Sequence, residues 1–260
     1  MKGCIATHTM TAKRIGDIAN MELDRVITYK AGVIVYQPII NFPTHETVGV
    51  ESLFRIQCTM LTNLHGSMAY WLTQYNQPPH SEKFDHYCAS LLLQALNREP
   101  DFPPSFITLN INHSSLFNKR LLNCIITIQK KLNSMGKYLI IELVEYSHPR
   151  RDINPLLYKL CLLGVRIAID DFGTGYNSLK YAKHLVQVDL IKISFDGQDL
   201  DYVALLADTA LDHFKHLTTE DIIVEKIDSQ IKAHQVSSLG INLLQGYLFG
   251  KPSSHWLQHN

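Results

Sequence analysis

Eight polar residues spread along this chain share one kind of position. Glu51, Asn110, Glu142, Asp170, Lys192, Glu225 and Gln245 each fall late in a short apolar run, and Asp171 directly follows Asp170. An ionisable group in an apolar strand is costly unless it is paired or binds a metal. One such residue is explained by an ion pair at a strand end. Seven successive runs with the same feature describe a shared site instead. Its five carboxylates, Glu51, Glu142, Asp170, Asp171 and Glu225, face a single cation, Lys192. Like charges at such density push several pKa values up unless positive charge is added. Divalent metal resolves the conflict, and oxygen-only ligands favour Mg2+, Mn2+ or Ca2+ over zinc or copper. The carboxylates suffice for two ions, and two metals about 3.5–4 Å apart clamp an in-line displacement at phosphorus.

The elements that must position these residues are legible as a rhythm. Apolar runs at 33–39, 47–54, 106–111, 138–144, 165–170, 189–194, 221–226 and 241–247 predict strands, most of them buried on both faces. Helical patterns lie between them at 82–97 (after Ser81 as N-cap), 117–134, 154–163 and 200–215. The long gap between the second and third runs is expected to hold two helices. Strands alternating with helices predict an α/β fold, a (β/α)8 TIM-like barrel with an atypical first strand. The direction of the first strands stays open at this point. In such a barrel the strand ends converge on one rim, where barrel enzymes keep their sites. Residues 1–30 are expected to form a short N-terminal lead-in, with the barrel over 31–260. Side chains alternate along a strand, so Asp170 and Asp171 face one site only if the backbone turns sharply; Gly173 and Gly175 permit such a turn.

Bulk properties narrow the class. The 260 residues carry no formal net charge, which argues against a duplex nucleic-acid partner. Five dispersed cysteines form neither a disulfide framework nor a zinc spacing. The first residues lack the apolar core of a signal peptide, and no stretch reaches a membrane span. A soluble, cytoplasmic protein with no membrane partner is the expectation. His65, His80, His86 and His113 are scattered without an i, i+4 metal pair and are expected at the surface or in the core. Phe172 and Tyr176 are expected to serve packing.

The blocks DDFGTGYNSL (170–179), VDLIKI (188–193) and QGYLFGKP (245–252) closely resemble the EAL phosphodiesterase family. YQPI, VESLFR, LNI, IELVE and VEKID extend the likeness over roughly residues 33–253, in the family's order. The resemblance implies hydrolysis of the bacterial messenger cyclic di-GMP to linear pGpG, with Mg2+ or Mn2+ as cofactor, two ions in all, and Ca2+ inhibitory. It places metal ligands on Glu51, Asn110, Glu142, Asp170, Asp171 and Glu225. Lys192, Glu51, Gln245 and Glu145 match catalytic and supporting positions, Glu145 ordering the loop after Asp171. Gln37, Arg55 and Pro252 match substrate contacts. It also implies a homodimer paired through the segment after Asp171.

Some positions depart from the family. Glu-Ala-Leu is Glu51-Ser52-Leu53 here, and Glu-Gly-Val-Glu is Glu225-Lys226-Ile227-Asp228. An outward Lys226 is harmless, whereas an inward one competes with metal. Ser194 stands where an aspartate is usual, and residues 56–80 match poorly. Two rival functions stay open: a barrel that binds cyclic di-GMP without cutting it, and one that docks to a regulatory protein partner.

Overall fold

The computed structural model describes residues 23–57, 80–98, 104–144, 152–174, 182–197 and 199–255. Its strands are β1 (Gly32–Asn41), β2 (Glu46–Ile56), β3 (Phe106–Asn112), β4 (Tyr138–Val144), β5 (Arg166–Ile169), β6 (Leu190–Ser194), β7 (Ile222–Glu225) and β8 (Leu243–Gln245). They close into a barrel in chain order. β1 runs antiparallel to both β2 and β8, and all other neighbours are parallel. The first strand is therefore atypical, as expected. Its direction follows from the four residues that join it to β2, because a parallel crossover needs about a dozen residues or more.

Alternation along the strands sorts the side chains into two cores. Val50, Ile107, Ile141, Ile167, Ile191 and Val224 point outward into the large cluster under the helices. Ile39, Phe106, Ile140, Ala168, Leu190 and Ile223 point inward and form a separate apolar layer across the lumen. Phe106 stacks on Tyr138, and the Arg166 guanidinium lies 4.2 Å from the Tyr138 ring centroid. Gly49 leaves room for this layer: a Cβ there would stand 2.1 Å from the Phe106 ring. The lumen is thus filled beneath the rim that carries the polar residues.

Helices His80–Arg98, Lys119–Asn133, Asn154–Cys161 and Leu200–His213 lie close to the expected spans. Ser81 is inside the first of them, buried, rather than ahead of it. Of the two helices expected between β2 and β3, His80–Arg98 is described; residues 58–79 lie outside the described residues. Helix Gln230–Ser238 was not legible in the sequence. It buries only Ala233 and Val236, and Ile231 is left exposed, so it carries no apolar stripe. Residues 23–28 are helical, and Leu23 and Val26 are buried in the main core. No helix among the described residues is long and apolar enough to cross a membrane.

Candidate active site

Five of the rim residues lie two positions past a member of the inner apolar layer. Glu142 follows Ile140, Asp170 follows Ala168, Lys192 follows Leu190, Glu225 follows Ile223 and Gln245 follows Leu243. The period of two puts all of them on the inner face, one layer above the apolar floor. Glu51 is level with Gln37 in the β1–β2 pairing, and Asn110 with Glu142 in the β3–β4 pairing.

Lys192 stands at the centre, almost fully buried. Its Nζ lies 2.6 Å from Glu225 Oε1, 2.8 Å from Glu142 Oε2, 3.2 Å from Glu51 Oε2 and 3.5 Å from Asp170 Oδ1. Glu51 also accepts from Asn110 Nδ2 and from Gln245 Nε2, both at 2.7 Å. Gln245 reaches Gln37 Oε1 at 3.4 Å, and Gln37 Nε2 donates to the Gly250 carbonyl at 3.2 Å. Asp171 is brought alongside by its own backbone, which takes φ +45, followed by Gly173 at φ +92. The sharp turn expected from Gly173 and Gly175 therefore begins at Asp171 itself, a residue type that tolerates the left-handed region. Gly175 and Tyr176 lie outside the described residues, and so does Glu145. The segment expected to pair two copies is described only to Thr174.

The other expected residues are placed less uniformly. Gln37, Glu51, Asp170, Lys192, Glu225 and Gln245 line a cavity of about 430 Å³. Arg55 lines an adjoining cavity of about 220 Å³ and donates Nη1 to the Phe54 carbonyl at 2.8 Å. Pro252 lines neither and sits beside the Tyr36–Ser253 bridge. Ser52 points out of the barrel, where its hydroxyl donates to the Thr108 carbonyl, so the missing alanine leaves the site untouched. Lys226 lines the same cavity at its exposed edge, and its Nζ pairs with Asp196 at 3.0 Å rather than with the acid cluster. Asp228 is exposed and pairs with Lys232 at 2.9 Å. His113 is buried in the turn after β3 and lines neither cavity. Phe172 is a buried core residue.

Asp85 was missed. Its buried carboxylate accepts from the Asn112 amide nitrogen at 2.9 Å and from Asn112 Nδ2 at 3.1 Å, which ties the helix His80–Arg98 to the end of β3 beside Asn110. The signal was an acid on the apolar stripe formed by Phe84, Cys88, Ala89 and Leu92.

The electrostatics follow from four carboxylates buried around one ammonium. Burial pushes Glu225 up to about 8 and Asp170 to about 6, Lys192 pulling both back. Burial, with Glu51 beside it, drives Glu142 well above the ordinary range. Burial also opposes ionisation of Glu51, but Lys192 and the amides of Gln245 and Asn110 outweigh it and hold this one acid below its usual value. Lys192 is held well above its usual value, the surrounding acids outweighing burial. A raised carboxyl contributes stability that is complete below its unfolded value and lost as pH rises through its folded one. For Glu225 that window runs from 4.5 to about 8. Asp85 and Asp170 finish titrating near 6, and His113, lowered to about 4 by burial, acts with opposite sign only below 6.5. Metal-free protein will therefore lose thermal stability between pH 6.5 and 8, by up to about 1.4 kcal/mol per pH unit for each proton released. Added Mg2+ will flatten the slope, because cation charge substitutes for the protons. Melting curves over this range check both statements, and a flat metal-free profile contradicts them.

The arrangement suits a divalent cation. Asn110 Oδ1, Glu142 Oε1 and Gln245 Oε1 are buried with no hydrogen-bond partner among the described residues. One oxygen each from Asp170, Asp171 and Glu225 lie within 4.8 Å of one another. Unspent buried acceptors and an oxygen-only donor set are what a hard cation requires.

Comparison with known proteins agrees with this geometry. A family model described as EAL domain matches residues 21–252. The chain is 28% identical over 250 residues to the bifunctional diguanylate cyclase/cyclic di-GMP phosphodiesterase MucR of Pseudomonas aeruginosa, a match covering 89% of this chain and 34% of that protein. It is 31% identical over 184 residues to the probable cyclic di-GMP phosphodiesterase PdeA of Escherichia coli, covering 66% and 24%. The chain thus spans about a third or less of these relatives' length. A structure titled PaMucR phosphodiesterase, c-di-GMP complex, superposes with a TM-score of 0.68 at 25% identity, over 91% of this chain and 97% of that one. The FimX EAL domain shares the fold, with a TM-score of 0.67 at 20% identity over 95% and 98%.

Proposed function

The chain belongs to the EAL domain family, and from that premise we propose that it hydrolyses cyclic di-GMP to linear pGpG with Mg2+ or Mn2+. The observation that carries the reading is the gathering of Glu51, Asp170 and Glu225 on one cavity, with Asn110 bonded to Glu51, Glu142 paired with Lys192 and Asp171 beside Asp170 and Glu225, and buried oxygens left over for metal. The names borne by MucR and PdeA support the choice of substrate.

Glu51, Asn110, Glu142, Asp170, Asp171 and Glu225 would hold two ions. Bound metal supplies a Lewis acid for the phosphoryl oxygens and lowers the pKa of water. The chain's own part is positioning. Lys192 keeps the acids gathered and places an ammonium where negative charge develops at phosphorus. Gln245 and Asn110 lock the Glu51 carboxylate from both sides. The apolar layer beneath excludes bulk water and strengthens every charge interaction above it. Water's oxygen bonds to phosphorus, the bond to the 3′ oxygen breaks, and the proton ends on the freed 3′ hydroxyl. Purified protein incubated with cyclic di-GMP and either metal is expected to release pGpG on a chromatogram, and none in chelator. A chain that gives no pGpG with either metal contradicts the reading.

A receptor that binds without cutting is favoured by one feature. Asp228, at the position of the family's second acid, points to Lys232 rather than into the cluster. Tight binding without turnover in the same assay identifies that case.

A further inference from the structure

Lys226 is the first residue past β7, and its backbone takes φ +60. Glycine adopts this left-handed conformation freely, whereas a side chain is strained in it. A lysine held there needs a compensating gain, and strain of this kind concentrates at functional sites. Its side chain is 51% exposed and lines the same cavity as Glu51, Asp170, Glu225 and Gln245. Among the described residues its ion pair is with the exposed Asp196, outside the acid cluster.

We propose that Lys226 is a substrate-binding residue whose ammonium exchanges Asp196 for a phosphate of the bound cyclic dinucleotide. The proposal rests on the hydrolysis reading above. A cyclic dinucleotide carries two phosphates, and the acid cluster serves only the one that is cut. The second meets a cavity lined by carboxylates and needs a cation of its own. Lys192 cannot supply it, being enclosed by four acids and already assigned to the phosphate that is cut. Arg55 stands over the adjoining cavity. Lys226 is at the mouth on the Glu225 side, on a flexible stem, in a solvent-exposed pair that is weakly held. The phosphodiester carries one negative charge, as Asp196 does, but meets the ammonium inside the partly desolvated cavity, where the attraction is less screened than in the exposed pair, and so displaces Asp196.

The test compares wild type, Lys226→Gly and Lys226→Met for pGpG release with Mg2+, at low and high NaCl. Both variants are expected to raise KM about tenfold, the scale of one charge-assisted pair. The gap should narrow in high salt, where screening weakens such a pair. Lys226→Gly should also melt a few degrees above wild type without ligand, because its strain is relieved. Variants with KM within twofold of an active wild type overturn this inference and leave the hydrolysis reading standing. So does a tenfold gap that salt does not touch. A wild type that neither binds nor cleaves cyclic di-GMP overturns both.

Discussion

Lys192→Met will cost the metal-free protein about 3–5 kcal/mol of folding stability and recover much of it when Mg2+ or Mn2+ is added. Methionine matches the lysine stem in length and leaves the space filled, so the loss is one of charge. The ammonium now touches Glu51, Glu142, Asp170 and Glu225, all within 3.5 Å. Without it these acids face one another above an apolar floor, and must protonate or separate. Each choice is costly for a buried group. A divalent ion replaces the missing charge, and anything that binds only the folded state stabilises it by mass action. Thermal melts of both proteins, in chelator and in saturating metal, measure the effect. Metal should raise the midpoint of Lys192→Met well beyond that of wild type. Equal shifts, or a variant that melts like wild type in chelator, would remove Lys192 from the centre of the cluster. Hydrolysis by Lys192→Met should remain deeply impaired in metal, because the ion restores the gathering of acids but not the ammonium proposed to act beside phosphorus.

Glu51→Ala is expected to lower kcat roughly a thousandfold or more, since loss of an outer partner of a metal ligand already costs about 10–100-fold. The loss has two sources. One carboxylate is removed from the proposed metal site, and the amides of Asn110 and Gln245 lose their shared acceptor, both held at 2.7 Å. Those amides are then free to turn, which displaces the Asn110 oxygen proposed as a ligand. Glu51→Gln separates the two sources, because it keeps an acceptor while removing the charge. Kinetics of pGpG release for both variants, alongside metal affinity by calorimetry, give the measurement. A Glu51→Ala protein with kcat near wild type would exclude Glu51 from the chemistry and with it the arrangement of the whole rim.

Much of this was written along the chain. Strand positions 138–144 coincide with β4, and the other expected runs differ from the observed strands by a few residues at their ends. The inner face was legible because side chains alternate with a fixed period of two. Once Leu190 or Ile140 is buried in the lumen, Lys192 and Glu142 must follow on the same side. The antiparallel course of β1 could also have been drawn from the short link at 42–45.

Sequence alone therefore determined the class of fold, the face on which each polar residue stands and the end of the barrel where they gather, since all three depend on short-range periodicity. Three things were decided only by the closed barrel. Lys192 had to choose its partners, which lie 50 and 141 residues away at Glu142 and Glu51. Asp171 had to turn into the left-handed region to stand beside Asp170, and Lys226 had to do the same to stand clear of Glu225. Asp85 had to find Asn112 from the apolar face of a helix. In each case the side chain's direction is set by backbone torsions and neighbours that exist only once strands distant in the chain are side by side, and no local period encodes them.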